Sequence, residues 1–201
     1  NQKIMGDVNR IFNYLEQPKT NAALMRDCKF IIPSPSIVKK EMLRLIDEEI
    51  KAARKRKPAA ITLKMNSLSD EDLIQKLYEA ARAGVQLKLI IRGIYCMYSE
   101  HKKFEIPVRA ISIVDEYLEH ARVWVFHNRG KEKVYISSAD WMLRNLEHRV
   151  EVTCPVWNDE LKMELKESLN IQLQDNVKAR WLDNQLNNEY VTTTRKKIRS
   201  Q

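Results

Sequence analysis

Two short motifs in this sequence carry side chains that suit chemistry on phosphate. His120 and Arg122 are separated by one residue, and Ser138 and Asp140 follow in a later strand-like segment. An imidazole can attack phosphorus or protonate a leaving oxygen near neutral pH. A cation two residues further along a strand points the same way and can hold a phosphate oxygen. A histidine at the start of a strand can also be purely structural, so this pattern alone leaves both interpretations open.

A strand–helix–strand unit positions two more polar side chains. Alternating residues over Ala59–Asn66 predict a strand, Ser69 is a suitable N-cap for the next helix, and Val85–Ile91 is apolar enough to be covered on both faces. Strands joined this way should be parallel, with their carboxyl ends at the sheet edge where α/β proteins bind ligands. Asn66 and Arg92 follow those ends. Arg92 could hold a phosphate through its fork of donors, or simply extend to water or pair with an acid.

The remaining apolar patterns indicate a mixed α/β chain. Ser36 is a suitable N-cap for a long helix that Pro58 ends, and the turn at 128–130 predicts a hairpin. Helices are predicted over 1–16, 36–57, 70–83 and 158–174, and further strands near 29–32 and over 108–114, 122–126, 133–137 and 149–156. We therefore expect an α/β fold.

Composition excludes several classes of protein. The 201 residues are 44% apolar and 31% charged, as in a packed soluble domain, and no apolar run could span a membrane. The sequence shows no secretion signal, no glycine-rich phosphate loop and no metal-ligand spacing among its three cysteines and four histidines. The odd number of cysteines fits a reducing cytosol. The chain opens on Asn1, and we expect a piece of a longer protein.

The basic excess is concentrated in two runs without acids. KAARKRK at 51–57 and VTTTRKKIRSQ at 191–201 hold nine cations, against a net charge of +8. A nucleic-acid-binding surface would spread its cations along a face, so no nucleic-acid partner is expected. The first run closes a predicted helix, where cations suit the negative end of the helix dipole. The second run is predicted to be a solvated terminus or the stub of a longer chain.

Longer stretches of the chain resemble one family. They are Asp7–Tyr14, Ile90–Ile94, Arg109–His120, Val134–Met142, Arg144–Asn145, Arg149–Val152 and Asp175–Arg180. The two short motifs described first resemble the outline of a phospholipase-D-like active-site half. Together, over nearly the whole chain, these stretches resemble the C-terminal part of the bacterial polyphosphate kinases. The 95–107 loop departs from that resemblance, because it lacks the expected Pro-Gly pattern.

The resemblance implies a phospholipase-D-like mixed sheet flanked by helices. Residues 1–35 would form a lead-in helix and connector, and residues 36–201 the C-terminal catalytic domain. The implied activity is reversible transfer of the terminal phosphate of ATP to inorganic polyphosphate through a phosphohistidine, with Mg²⁺. That phosphohistidine would lie in the preceding domain, so this chain would carry half of a shared site, hold no metal itself and be inactive alone.

The resemblance also implies roles for individual residues. His120 matches the histidine of the second half and would stabilise the transferring group and shuttle a proton, while Arg92 matches the arginine that contacts the nucleotide phosphates. Asp140 could be the carboxylate that holds an imidazole N–H. The supporting residues, which would orient these groups or line the path of a polyanion, are Asn66, Arg122, Ser138, Asp140, Arg144 and Arg149. For these, ordinary hydrogen-bonded scaffolding is an open alternative.

The implied partners are ATP or ADP, polyphosphate, the N-terminal domains of the same chain and further copies in a homo-oligomer. The implied location is the cytoplasm, with peripheral membrane association as a further option. Two other functions stay open. A phospholipase-D-like nuclease or phosphodiesterase would use the same histidine, and a non-catalytic polyanion-binding module would use the two basic runs.

Overall fold

An eight-stranded mixed sheet lies at the centre of the computed structural model, which describes residues 2–18, 21–35, 37–194 and 196–201. The strands are β1 (Ile32–Pro33), β2 (Ala60–Met65), β3 (Gln86–Ile91), β4 (Arg109–Ile113), β5 (Arg122–Phe126), β6 (Lys133–Ser137), β7 (Val152–Val156) and β8 (Ala179–Trp181). The helices are α1 (Gln2–Glu16), α2 (Ala22–Arg26), α3 (Ile37–Arg54), α4 (Glu71–Arg82) and α5 (Asp159–Leu173). The strand order is β1-β7-β6-β5-β2-β3-β4-β8.

The predicted strand–helix–strand unit is confirmed. β2 and β3 pair in parallel, with Leu63 opposite Leu89, and α4 connects them. β4 continues the parallel part, whereas β5 lies antiparallel to β2 on its other side and places Trp124 opposite Leu63. β5 and β6 form the predicted antiparallel hairpin. The prediction of a mixed α/β sheet flanked by helices is therefore confirmed.

The two faces of the sheet bury different residues of the same strands. Leu89 and its alternating neighbours in β3 pack in the core that contains α3 and α4. Ile90 faces the other way, into a second core that contains Leu169 and Leu173 of α5. β3 alternates in its first half, where Gln86 is exposed and Lys88 half-buried, and is apolar and buried on both faces only at its end, Leu89–Ile91.

Two predicted helix termini differ from the structure. The cap of α4 is Asp70, whose Oδ1 accepts a hydrogen bond from the Leu73 amide at 3.1 Å, so the prediction of Ser69 is wrong. Ser69 precedes the helix because its amide donates to the Trp141 carbonyl at 2.8 Å. α3 ends at Arg54 rather than 57, where Arg56 takes a φ of 54° that no helix continues through. The predicted cap Ser36 lies outside the described residues.

The C-terminal tail lies against the domain. The amide of Ile198 donates to Asn176 Oδ1 at 2.8 Å, and the Ser200 amide and hydroxyl donate to Asp175 Oδ2 at 2.8 and 2.7 Å. For residues 198–201 the prediction of a solvated terminus is therefore wrong, whereas Lys196 and Lys197 are exposed as predicted and Arg195 lies outside the described residues. Within the described ranges, no helix is both long and apolar enough to cross a membrane.

Candidate active site

Polar side chains from four neighbouring strands meet at one edge of the sheet, which we call the site edge. β2 and β3 end there, the antiparallel β5 begins there, and β6 ends there again. Just outside these strand termini lie Asn66, Arg92, His120 and Asp140. The strand order β6-β5-β2-β3 makes them spatial neighbours although they are far apart in the chain. This is the edge that the strand–helix–strand pattern predicted.

Two of the three guanidinium nitrogens of Arg92 have a partner, and the third has none among the described residues. Its Nε donates to Asn66 Oδ1 at 2.9 Å, and its Nη2 lies 3.3 Å from His120 Nδ1. Nη1 is buried and has no hydrogen-bond partner among the described residues. The backbone that follows Arg92 also lies close to Asn66: the Gly93 amide donates to the Asn66 carbonyl at 2.8 Å, and a Cβ at Gly93 would lie only 3.1 Å from that oxygen. A buried donor without an acceptor is costly, and an anionic oxygen would satisfy it.

His120 is exposed, and its neighbours restrict how its ring can be protonated. A guanidinium can only donate, so in the contact with Arg92 the His120 Nδ1 acts as the acceptor. A neutral ring in this contact therefore carries its proton on Nε2. The backbone of the same residue is also held, because Arg122 Nη1 donates to the His120 carbonyl at 3.0 Å. The arrangement presents an imidazole N–H donor beside a guanidinium.

Asp140 holds Arg122 rather than the imidazole. Asp140 is only 4% exposed, and its carboxylate accepts from Arg122 Nε at 3.2 Å and Nη2 at 3.1 Å. It also accepts from the backbone amides of Asn66 at 2.7 Å and Ser67 at 3.2 Å. The expectation that Asp140 grips an imidazole N–H is therefore wrong, because these four donors occupy the carboxylate. Asp140 instead links the end of β2 to the start of β5.

Ser138 lies in a neighbouring network whose central residue the sequence analysis missed. Its hydroxyl donates to Glu151 Oε2 and accepts from the Val152 amide at 3.0 Å. Asn145 Nδ2 donates to the other oxygen of Glu151 at 2.6 Å. Ser138 thus contacts none of the four residues of the previous paragraphs directly. An acid at the start of the predicted strand 149–156, next to the Ser-x-Asp strand, was the available signal for Glu151.

Arg144 begins a helical turn, Arg144–His148, in the connection between β6 and β7, and Arg149 directly follows that turn. Both are exposed, and neither side chain has a hydrogen bond or ion pair within the described part of the chain. Their backbones are joined, since the Arg149 amide donates to the Arg144 carbonyl at 3.0 Å. The connection begins and ends at the site edge, so these two cations lie on the side of the molecule that carries Arg92 and His120.

A second missed carboxylate directly precedes the histidine. Glu119 forms an ion pair with Lys64 of β2, which is 5% exposed, and Gln172 of α5 contacts both side chains. Burial by itself would raise the pKa of Glu119, but Lys64 and the hydrogen bonds from Gln201 and Gln172 hold this pKa below its ordinary value. The carboxylate is therefore ionised at neutral pH and fixes the residue next to His120.

Comparison with known proteins gives a consistent result. Residues 31–201 match the family model of polyphosphate kinase C-terminal domain 2. The polyphosphate kinase of Vibrio cholerae serotype O1 is 44% identical over 204 residues, which cover 100% of this chain and 28% of that relative. The structure of polyphosphate kinase from Porphyromonas gingivalis superposes with a TM-score of 0.91 at 39% identity, covering 100% of this chain and 30% of that one.

A more distant structure defines the fold class. Nuc from Salmonella typhimurium, a phospholipase D family member, superposes with a TM-score of 0.56 at 15% identity, covering 77% of this chain and 97% of Nuc. That likeness concerns the fold, and it confirms the predicted phospholipase-D-like sheet. This chain spans less than a third of the two polyphosphate kinases, with which it shares its whole length. With 31–201 matched by the family model, the chain belongs to the polyphosphate kinase family, as its second C-terminal domain.

Proposed function

We propose that this chain supplies one half of the active site of an ATP:polyphosphate phosphotransferase. The observation that carries the proposal is the free, buried Nη1 of Arg92 beside His120 at the site edge. The fork of an arginine matches two oxygens of a phosphate, and phosphoryl transfer depends mainly on positioning and on neutralising spread negative charge. The reaction moves the terminal phosphate of ATP to a histidine outside this chain and then to the end of a polyphosphate.

Each residue of this half has a distinct task in that reaction. Arg92 binds the transferring phosphate or its nucleotide neighbour, and Asn66 fixes the plane of its guanidinium. His120 donates a hydrogen bond from Nε2 to a phosphate oxygen and stabilises the negative charge that develops on that oxygen, while its single ring proton stays on Nε2. Arg122 and Asp140 hold the backbone of His120 in place. These tasks need no covalent bond to this chain.

The outer cations extend the site for a long polyanion. Arg144 and Arg149 are exposed and without side-chain partners in the described ranges, so they are free to contact successive phosphates. Ser138 is held by Glu151, which follows Arg149 by two positions in the chain. Each such contact contributes modestly and is weakened by salt, because exposed charges are screened.

The resemblance also implies Mg²⁺, and the residues of this half do not fit it. No group of three His, Cys, Asp or Glu side chains suited to a metal exists in the described residues. The carboxylates around the site are already occupied: Asp140 by Arg122, Glu119 by Lys64, and Glu151 by Ser138 and Asn145. We therefore assign no step of this half to a metal.

The proposed context is a larger enzyme. Residues 1–35 serve as lead-in and connector to a catalytic domain over 36–201, and the remaining domains of the full chain supply the other half of the site. The proposed partners are ATP or ADP and polyphosphate, with further copies in a homo-oligomer, in the cytoplasm or peripherally on its membrane. Alone, this chain should bind phosphate weakly and not turn over.

The test is substitution of the two central residues in the full-length enzyme. His120→Ala and Arg92→Ala should each reduce polyphosphate synthesis from ATP at least about a hundredfold, as expected for loss of a preorganised donor to the transition state. The matched control is His101→Ala, which removes an exposed histidine of the 95–107 loop and should leave the rate within about twofold. Losses of tenfold or less in both site variants would refute the assignment. Phosphodiester cleavage without nucleotide turnover would favour the nuclease instead.

A further inference from the structure

The segment that carries His120 has little of its own to hold it in place. Residues 114–121 join β4 to β5 without regular secondary structure, and they must cross the ends of β3 and β2 to do so. The three large apolar side chains of this segment, Val114, Tyr117 and Leu118, are 69%, 68% and 75% exposed. Apolar packing within the domain therefore does not fix the segment, and its polar contacts must do so.

Most of those polar contacts come from the end of the chain. Arg199 donates two hydrogen bonds to the Asp115 carboxylate, from Nε at 2.8 Å and from Nη2 at 2.9 Å. Its Nη2 also donates to Glu116 at 3.0 Å. Gln201 pairs with the backbone of Tyr117 through both ends of its amide, accepting from the N–H at 2.9 Å and donating to the carbonyl at 3.1 Å. It also donates to Glu119 Oε1 at 3.1 Å.

The tail itself is anchored to a rigid point. Asp175 is fully buried in the turn between α5 and β8, where its Oδ1 accepts from three consecutive amides, those of residues 177–179. Its Oδ2 accepts from Ser200, which lies between Arg199 and Gln201 in the chain. The backbone that carries Arg199 and Gln201 is therefore held in place by Asp175. On the opposite side of the segment, Lys64 holds Glu119 from within the sheet.

We propose that Arg199 and Gln201 are positioning residues that hold the 115–119 segment so that His120 faces Arg92. They touch neither reacting group, and they act through Asp115, Tyr117 and Glu119. The proposal rests on the proposed function for its effect on catalysis, while its effect on the order of the segment stands on the contacts alone. The tail thus belongs to the catalytic apparatus, although no motif in its sequence indicates a role.

The test uses a clamp variant, Arg199→Ala with Gln201→Ala, in the full-length enzyme. Its first measurement is amide hydrogen exchange over 114–121, which does not depend on activity. The Tyr117 amide donates to the Gln201 side chain, so its exchange should become at least about tenfold faster in the variant. The control is Lys197→Ala, which removes an exposed cation from the same tail and should leave the exchange unchanged. Equal protection in the clamp variant and the wild type would overturn the proposal.

The second measurement separates positioning from binding. In the clamp variant, kcat should fall about tenfold or more while the KM for ATP changes by less than about threefold, because a misplaced His120 weakens the transition state more than the ground state. Faster exchange with an unchanged kcat would overturn the positioning role. If the double variant fails to fold, Gln201→Ala alone provides the same two readouts. A wild-type enzyme without phosphate transfer would refute the proposed function, and the exchange measurement would still decide whether the tail holds the segment.

Discussion

Arg92 Nη2 lies 3.3 Å from His120 Nδ1, although the two residues belong to different strand ends 28 positions apart. The contact makes the guanidinium the donor and the imidazole the acceptor, so both groups are oriented before any substrate arrives. Asn66 completes the arrangement from a third strand end by accepting from Arg92 Nε. The remaining donors, Arg92 Nη1 and the Nε2–H of a neutral His120, are those that a phosphate could use.

The geometry of Arg92 predicts that a positive charge at this position is not enough for catalysis and that the guanidinium group itself is required. A lysine keeps the charge but has one ammonium group, which cannot contact Asn66, His120 and a phosphate in the same plane. In the full-length enzyme, Arg92→Lys should therefore be at least about tenfold slower than wild type in polyphosphate synthesis. Initial rates at saturating ATP measure this. A lysine variant within twofold of wild type would show that a point charge is all the site requires.

The ion pair of Asp140 and Arg122 predicts a coupled loss of stability and activity. Asp140→Asn leaves the Arg122 guanidinium without its charge partner in a largely buried place, and we expect a loss of about 3 kcal/mol in the free energy of unfolding. Activity should fall as well, because Arg122 holds the His120 carbonyl. Urea unfolding and initial rates measure the two effects.

The same substitution at an exposed pair serves as the control. Asp159 pairs with Lys162 on α5, and its side chain is 88% exposed. Asp159→Asn should change the free energy of unfolding by less than about 1 kcal/mol, because exposed pairs contribute little. Equal losses at the two sites would contradict the view that Asp140 is a buried organising charge.

The strand ends of the site could be predicted from the sequence, because each follows from a local pattern. Apolar alternation in β2 and the largely apolar stretch Val85–Ile91 predicted both strands and hence the positions of Asn66 and Arg92. The partners of Lys64 could not be predicted in this way. The alternating pattern of β2 predicts Lys64 as one of the polar residues of the strand, yet Lys64 is buried and paired with Glu119, 55 positions away. Such contacts depend on which helix covers which face, and no local pattern contains that information.

The contacts of the C-terminal tail could not be predicted from the sequence either. A run of cations and small polar residues predicts a solvated terminus, and for Lys196 and Lys197, which are exposed, that description is adequate. Arg199 and Gln201 are the two residues that make the contacts, and their hydrogen-bond partners lie 82 to 84 positions earlier in the chain. Composition cannot tell whether a basic side chain is paired or solvated. That depends on whether the fold places an acidic side chain next to it.

The position of the first basic run predicts that it does not serve the site. Lys55 and Lys57 lie before β2 begins, whereas the site lies beyond the point where β2 ends, about 20 Å away for a six-residue strand. At physiological salt the screening length is about 8 Å. The double variant Lys55→Gln with Lys57→Gln should therefore leave the KM for polyphosphate within about twofold. A large loss of polyphosphate binding in this variant, with binding intact in Arg92→Ala, would favour the polyanion-binding module.

Asp175 predicts how the anchor of the tail depends on pH. Burial by itself would raise the pKa of this carboxyl, but the amides of Lys178 and Ala179 and both donors of Ser200 lower it to about 2. A group whose pKa is lowered on folding stabilises the folded state fully above its unfolded pKa, near 4, and loses that contribution as the pH falls toward 2. The contribution well above pH 4 is about 2.5 kcal/mol.

Asp175→Asn should therefore reduce the free energy of unfolding by an amount that is constant between pH 7 and pH 5. The deficit relative to wild type should shrink as the pH falls below 4, because the wild-type carboxyl then becomes protonated and loses the same interactions. Urea unfolding of both proteins at pH 7, 5, 4 and 3 measures this difference. A deficit that stays the same down to pH 3 would mean that the shape of the side chain, rather than the charge of Asp175, anchors Ser200 and the tail.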